Sequence, residues 1–395
     1  MQFNLKLTEK GAIYVTSQQP VDIHGKPYNR SLLVGVLLIG TFCTILNQTL
    51  LTTALPTLMK EFDISASSVQ WLTTGFLLVN GIMIPISAWL INKFSSKKLY
   101  ITAMSTFLIG TIICFVAQDF GMLLTGRLVQ AAGVGVSMPL LQTIMLSIFP
   151  PEKRGAAMGT TGIVIGLAPA LGPTLSGWII DSYTWRDLFG MVIPIVVLVL
   201  ILASFLMKNV IQLSNPSIDV LSVILSTLGF GSLLYGFSSV GDKGWGSPQV
   251  YGFLIVGAIV LCLFTYRQLH LEQPFLELRV FKSKVFTVAA ILSGVTNMAM
   301  IGAEMVLPLY IQNIRGESAF HSGLMLLPGA LVMGLMMPVT GRIFDKIGAR
   351  RLAITGMFIL TAATLPFAFL TKATPIIYII VLYAIRMFGI SMVMM

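Results

Sequence analysis

The chain has 395 residues, 56% of them hydrophobic and only 10% charged, with a mean hydropathy of +0.89. Soluble domains carry about 25% charged residues, so this composition cannot clothe a globular surface and excludes a soluble enzyme, a nucleic-acid binder and a disordered chain. The formal charge of +10 does not restore a nucleic-acid reading, because the cations sit where membrane topology wants them.

Residues 1–30 form a polar tail in which Lys6, Lys10, Lys26 and Arg30 mix with Glu9 and Asp22. The tail lacks the apolar core and small-residue cleavage site of a signal peptide, so the first span is the expected insertion signal. A bilayer core takes about 20 apolar residues per helix. That ruler predicts twelve spans, at 31–55, 69–91, 99–117, 121–149, 156–178, 188–207, 218–240, 249–266, 285–310, 322–341, 352–371 and 375–395. Eighteen Lys and Arg fall in the tail and the loops on its side of the membrane. Lys60, Arg186, Lys243, Arg315 and Lys372 lie on the other side, and Arg127 and Arg386 lie within spans. Positive charge marks the cytoplasmic face, which predicts a cytoplasmic N-terminus in a multi-pass protein of the cell membrane. Cys43, Cys114 and Cys262 sit in apolar runs and read as small buried hydrophobes.

The sequence repeats itself. LINKFSSKKLYIT (Leu90 to Thr102) and IFDKIGARRLAIT (Ile343 to Thr355) are 253 residues apart; the same offset relates Gly81 to Gly334 and Pro85 to Pro338. Leu55-Pro56 and Leu307-Pro308 follow at 252. The ninth span therefore corresponds to the first, and spans seven and eight are inserted between halves. Repeated halves are a common transporter plan, with the substrate site between them. The expected organisation is a tail (1–30), a six-helix half (31–207), an inserted pair with linkers (208–284) and the first four helices of a second half (285–395). Two alternatives account for the count: a chain lacking about two helices, which the offset favours, or an unusual twelve-helix form.

Three patterns carry physical meaning. GRIFDKIGARR (Gly341 to Arg351) places Asp345 among Lys346, Arg350 and Arg351, where a carboxylate can latch onto a cation or a helix N-terminus of the other half. Its first-half counterpart has Ala88, Asn92 and Ser95 where glycine and aspartate are wanted; with Lys93, Lys97 and Lys98 it keeps the charge but makes a weaker latch. The fifth span carries Gly155, Gly159, Gly162, Gly166, Gly172, Ser176 and Gly177 with Pro169 and Pro173. Small residues near four-residue spacing allow close helix approach, and prolines remove helix hydrogen bonds. Ordinary membrane-helix packing explains the glycines equally well; the paired prolines favour a moving element.

These loops resemble the signature loop of the major facilitator superfamily, and the inserted pair resembles its fourteen-helix drug:proton antiporter branch. Further similarity lies in LNQTLLTTALP (Leu46 to Pro56), RLVQAAGVGVSMP (Arg127 to Pro139), GLAPALGPTLSG (Gly166 to Gly177), WRDLF (Trp185 to Phe189) and LPLYIQNIRG (Leu307 to Gly316), and it covers residues 31–395. The resemblance implies an all-α membrane fold of two six-helix bundles. It implies a gating role for the loops with Gly341 and Asp345, and antiport for the motif with Gly166, Gly172, Pro173 and Gly177. Many relatives carry an aspartate where this chain has Asn47, and an amide cannot release a proton.

Charges in hydrocarbon are costly unless paired or hydrated. Glu304 is the one carboxylate well inside a span and the expected proton carrier; permanent hydrogen bonding near the outer end of its helix is the alternative. Arg127 is the expected cation, to which the resemblance assigns proton transfer and for which a structural role is nearly as well supported. Arg386 stands as its approximate repeat partner at an offset of 259. Asn47, Gln48, Phe76, Met138 and Met298 are candidates for a substrate cavity, with Met83, Met300 and Met305 beside them, since methionine adapts to varied apolar shapes. Asp219 reads as a solvated cap, and His24, His270 and His321 as loop residues.

The sequence therefore predicts a monomeric secondary transporter exporting amphipathic, cationic compounds on the proton gradient. Its partners are a small molecule, protons and the bilayer, with no nucleic acid and no cofactor. A nutrient or metabolite porter is the alternative. A membrane enzyme or receptor would need a ligand cluster, a nucleophile or a large soluble domain, and a channel would need a polar lining; the spans and short loops offer none of these.

Overall fold

A computed structural model describes residues 6–7, 13–14, 20–214, 219–272, 274 and 276–394. Among them are twelve spans long and apolar enough to cross a membrane. The first half holds α1 (Arg30–Phe62), α2 (Ala66–Lys93), α3 (Ser96–Phe115), α4 (Phe120–Ile148), α5 (Arg154–Ser182) and α6 (Val192–Leu206), the last entered by a helical turn at Asp187–Gly190. After α7 (Val220–Lys243) and α8 (Pro248–His270) come α9 (Lys284–Leu309), α10 (Ala319–Ile347), α11 (Ala349–Thr364) and α12 (Ile376–Val393). Two-residue strands, Lys6–Leu7 and Ile13–Tyr14, pair antiparallel in the tail.

Apolar runs decide where the spans lie, and capping residues decide where several begin. Asn29, Ser65, Asp119 and Ser318 each accept a backbone N–H of the first turn, from Leu32, Ser68, Met122 and His321, satisfying donors that the helix itself cannot. Gly348, at φ 81°, ends α10 in a conformation that glycine takes without strain.

Helices continue further than the apolar ruler reaches. Asn92 and Lys93 close the last turn of α2; Asp345 and Lys346 lie in the last turn of α10, and Arg350 and Arg351 in the first turn of α11. The expected loops are therefore helix ends, because charged side chains beyond the hydrocarbon still propagate backbone hydrogen bonds. His270 and His321 likewise sit in terminal turns of α8 and α10 rather than in loops.

Packing repeats as the sequence does. α4 packs on α2 and α3, and α12 packs on α10 and α11. Buried apolar side chains form two clusters, one from α1 to α6 running from Leu33 to Met207, the other from α9 to α12 running from Met300 to Ile390. The two sets of helices meet chiefly where α5 lies along α10, while α1 also packs on α5. α7 and α8 pack on each other and touch the first half through α2, where Trp71 stacks on Tyr235 at 5.5 Å.

Candidate functional site

Glycine makes the α5–α10 seam. A Cβ on Gly159 would come 2.8 Å from the Met337 carbonyl oxygen, one on Gly166 3.1 Å from the Gly334 nitrogen, and one on Gly177 3.3 Å from the Phe320 nitrogen. From the other side, a Cβ on Gly341 would lie 2.5 Å from the Gly155 oxygen, and one on Gly323 2.9 Å from the Thr174 nitrogen. The backbones thus touch along most of both helices, as small residues permit. Gly172 points elsewhere, against Thr49 of α1. Pro169 and Pro173 lie within the unbroken α5, and Pro328 and Pro338 within α10.

At one end of this seam Asp345 faces the start of α5. Its Oδ2 accepts the Ala156 N–H at 3.3 Å, a carboxylate at a helix N-terminus. Lys346, Arg350 and Arg351 are exposed. The first-half counterpart engages differently: Asn92 Nδ2 donates to the Ala88 carbonyl one turn back, and its own carbonyl accepts from Ser214 of the linker after α6.

Arg127 is fully buried in the first half. Its Nη1 donates to Asn47 Oδ1 and to Gln130 Oε1, each at 2.8 Å, its Nε to the Leu72 carbonyl at 3.5 Å, and its guanidinium lies 4.3 Å from the Phe76 ring centre. Gln130 Nε2 donates in turn to Thr111 Oγ1 at 2.8 Å, so α1, α2, α3 and α4 share one polar knot. Asn47 and Phe76, expected along a substrate cavity, are buried around this cation instead. Gln48, Met138 and Met83 are half-buried, and a Cβ on Gly135 would touch Met83 at the α2–α4 crossing.

Glu304 is half-buried on α9 and in electrostatic contact with Arg386 and Tyr383 of α12, not with Arg127. The two residues expected to share proton transfer therefore stand in different halves. Arg386 is 2% exposed; it donates from Nε to Thr364 Oγ1 at 3.1 Å and from Nη2 to the Ala299 carbonyl. It lines a cavity of about 400 Å³ between α9, α11 and α12, together with Thr364 and the exposed Met298. Met300 is buried in the second apolar cluster, and Met305 lies outside the described side chains.

Asp219, read as a solvated cap, is tied into the inserted pair. Arg267 donates to both carboxylate oxygens, at 2.9 and 3.0 Å, and Ser222 bridges Asp219 to Gln268. The Arg267 guanidinium holds the Asp219 carboxyl below the usual carboxylate range.

Residues 37–395 match the model of the Major Facilitator Superfamily. The chain belongs to that superfamily. It is a multi-pass membrane transporter and not an enzyme. It is 56% identical over 373 residues to an uncharacterized MFS-type transporter of Bacillus subtilis (strain 168), covering 94% of this chain and 79% of the relative. A lincomycin resistance protein of Listeria monocytogenes is 44% identical over 363 residues, 92% of this chain and 77% of its own length. A multidrug export protein of Escherichia coli (strain K12) is 31% identical over 328 residues, 82% and 64% respectively.

Within this major facilitator chain, WRDLF acts as a structural clasp. Trp185 and Phe189 are buried, and Arg186 donates to the Ala117 carbonyl at 2.9 Å while pairing with Glu61 at 3.3 Å. Sequence reasoning missed Gln130, Thr111 and Thr364 because a lone amide or hydroxyl in an apolar helix carries no pattern. It also missed Gly323 and Gly334 as partners of the α5 glycines, although their small size was the available signal.

Proposed function

We propose that this transporter exports amphipathic, cationic compounds across the cell membrane in exchange for protons. It works as a monomer whose two halves, 31–207 and 285–395, rock about the α5–α10 seam, with the inserted pair (208–284) riding on α2 and the N-terminus in the cytoplasm. The observation that carries this reading is Glu304, a carboxyl within a membrane-spanning helix beside the buried Arg386. Such a group is expensive in hydrocarbon and marks proton relays. A proton taken up from outside neutralises Glu304 and is released inside as the halves exchange orientation. The similarity to a lincomycin resistance protein and a multidrug export protein supports drug export over nutrient uptake.

Asp345 latches the inward mouth through Ala156, with Gly341 permitting the approach. Lys346, Arg350 and Arg351, with Asn92 and Lys93 at the matching end of α2, provide the basic cytoplasmic face. Arg127 acts as a fixed cation, since its hydrogen-bond partners are amides and a carbonyl. Gly166, Gly172, Pro173 and Gly177 belong to the moving element.

Ethidium efflux from proteoliposomes with an imposed proton gradient tests this. Gradient-driven efflux that Glu304→Gln abolishes is the expected result. Efflux equal in both proteins removes Glu304 from coupling, and gradient-driven uptake of a nutrient without ethidium efflux would replace export altogether.

A further inference from the structure

The two halves can be overlaid where their helices cross. In the first, a Cβ on Gly133 would come 2.5 Å from the Ala103 carbonyl oxygen; in the second, a Cβ on Gly389 would come 2.9 Å from that of Gly356. Ala103 and Gly356 are one repeat apart, so these are the same crossing. Eight residues further along α3 and α11 stand Thr111 and Thr364; three residues before the crossing glycines stand Gln130 and Arg386. The Gln130–Thr111 hydrogen bond of 2.8 Å and the Arg386–Thr364 hydrogen bond of 3.1 Å are thus one interhelical contact used twice. Arg386 answers to Gln130, not to Arg127 as the sequence offset suggested, and Tyr383 occupies the Arg127 position.

The second half has therefore moved its cation onto the helix-bridging position. Thr364 on α11 holds Nε and the Ala299 carbonyl on α9 holds Nη2, while buried Nη1 has no partner. Glu304 stands five residues beyond Ala299 on the same helix. Among the described residues, the groups in electrostatic contact with it are Arg386 and Tyr383, both on α12. Arg127, by contrast, turns Nη1 to Asn47 and Gln130 and Nε to Leu72, all within the first half.

We infer that Arg386, anchored by Thr364, is the positioning residue for Glu304, its free amino nitrogen receiving the carboxylate whenever the proton leaves. Loss of the proton forms a charge-assisted pair between α9 and α12, and its return opens the pair and leaves Arg386 on Thr364 and Ala299. The proton passes between Glu304 and water, the guanidinium keeps its charge throughout, and the compensation stays inside one half instead of crossing to Arg127. The inference rests on Glu304 being the exchanging group.

The test compares gradient-driven ethidium efflux with gradient-independent ethidium counterflow in proteoliposomes. Arg386→Gln should lower gradient-driven efflux roughly tenfold while counterflow stays within about twofold, the loss of one charge-assisted bond. Arg386→Lys should restore part of it, and Thr364→Val should fall between. Retention of gradient-driven efflux by Arg386→Gln, alongside its loss in Glu304→Gln, overturns the inference and leaves the proposed function standing. Retention by Glu304→Gln itself overturns that function first. Should Arg386→Gln fold poorly, thermal unfolding of the Glu304→Gln/Arg386→Gln double variant against both single variants decides: pairing predicts a double variant less destabilised than the two singles summed, and strict additivity overturns it.

Discussion

Gly341→Ala should separate α5 from α10 at the Asp345 end of their seam. The new methyl would lie 2.5 Å from the Gly155 oxygen, 3.0 Å from its carbonyl carbon and 3.4 Å from the Ala156 nitrogen, all backbone atoms that cannot rotate aside. Ordinary van der Waals contact begins at 3.4 Å, so α5 and α10 must part by about 0.9 Å at this point (3.4 less 2.5). The Ala156–Asp345 hydrogen bond, already 3.3 Å, would lengthen past the limit at which such a bond counts. Overpacking of this kind costs about 1–3 kcal/mol. Thermal unfolding in detergent reads the loss of stability. Alkylation of Ala157→Cys, a position 5% exposed on α5, reads opening of this end of the seam and should accelerate several-fold. Gly35→Ala, with nothing near its added methyl, is the control and should leave both unchanged or raise stability slightly. A Gly341→Ala protein with parental stability and alkylation would refute the claim that backbone contact sets this junction.

Other expectations follow from the same geometry. Arg127→Ala leaves Asn47 and Gln130 without their buried donor and should cost about 3 kcal/mol in thermal unfolding; Thr111→Val, which strands only Gln130, should cost about 1 kcal/mol. The Asp219 carboxyl is held low by Arg267, so its contribution is complete above the unfolded pKa of about 3.9. That contribution fades as pH falls through the lower folded value, and hydrogen exchange across α7 and α8 should rise there; Asp219→Asn should remove this dependence. Arg186→Gln breaks the bonds to Ala117 and the pair with Glu61, and exposed pairs carry little, so a change of about 1 kcal/mol or less in thermal unfolding is expected.

The spans were legible because hydrocarbon thickness writes itself into any membrane sequence. Helix ends were less so: a ruler of apolar residues stops where lipid stops, while α10 continues through charged Asp345 and Lys346 until Gly348. Asn47 and Phe76 were misplaced for a different reason. A polar or aromatic residue in a span is equally consistent with a cavity wall and with a buried partner, and only the position of Arg127 separates the two. Glu304 could be singled out from its charge alone, as a carboxylate inside an apolar span. Its neighbour could not, because Arg386 pairs with Gln130 in the repeat only after the crossing glycines are aligned, three residues off the offset that holds elsewhere.

The same asymmetry bears on how one seam can serve a moving protein. Along α5 the glycines at 155, 159, 162 and 166 face α10, whereas Gly172 faces Thr49 of α1. The helix therefore joins its own half on one side and the opposite half on the other, with backbone contact at both. Packed backbones resist compression but have no side-chain ridges to unlock, so tilting them apart costs only the contacts at the end that opens. At one end those contacts are Gly155 with Gly341 and a single carboxylate bond from Asp345; at the other they are Gly177 with Phe320 and Gly323 with Thr174. A carboxylate–dipole bond is worth about 1 kcal/mol or less at an exposed site. That is large enough to bias which end of the seam stays closed and small enough for thermal motion to open it.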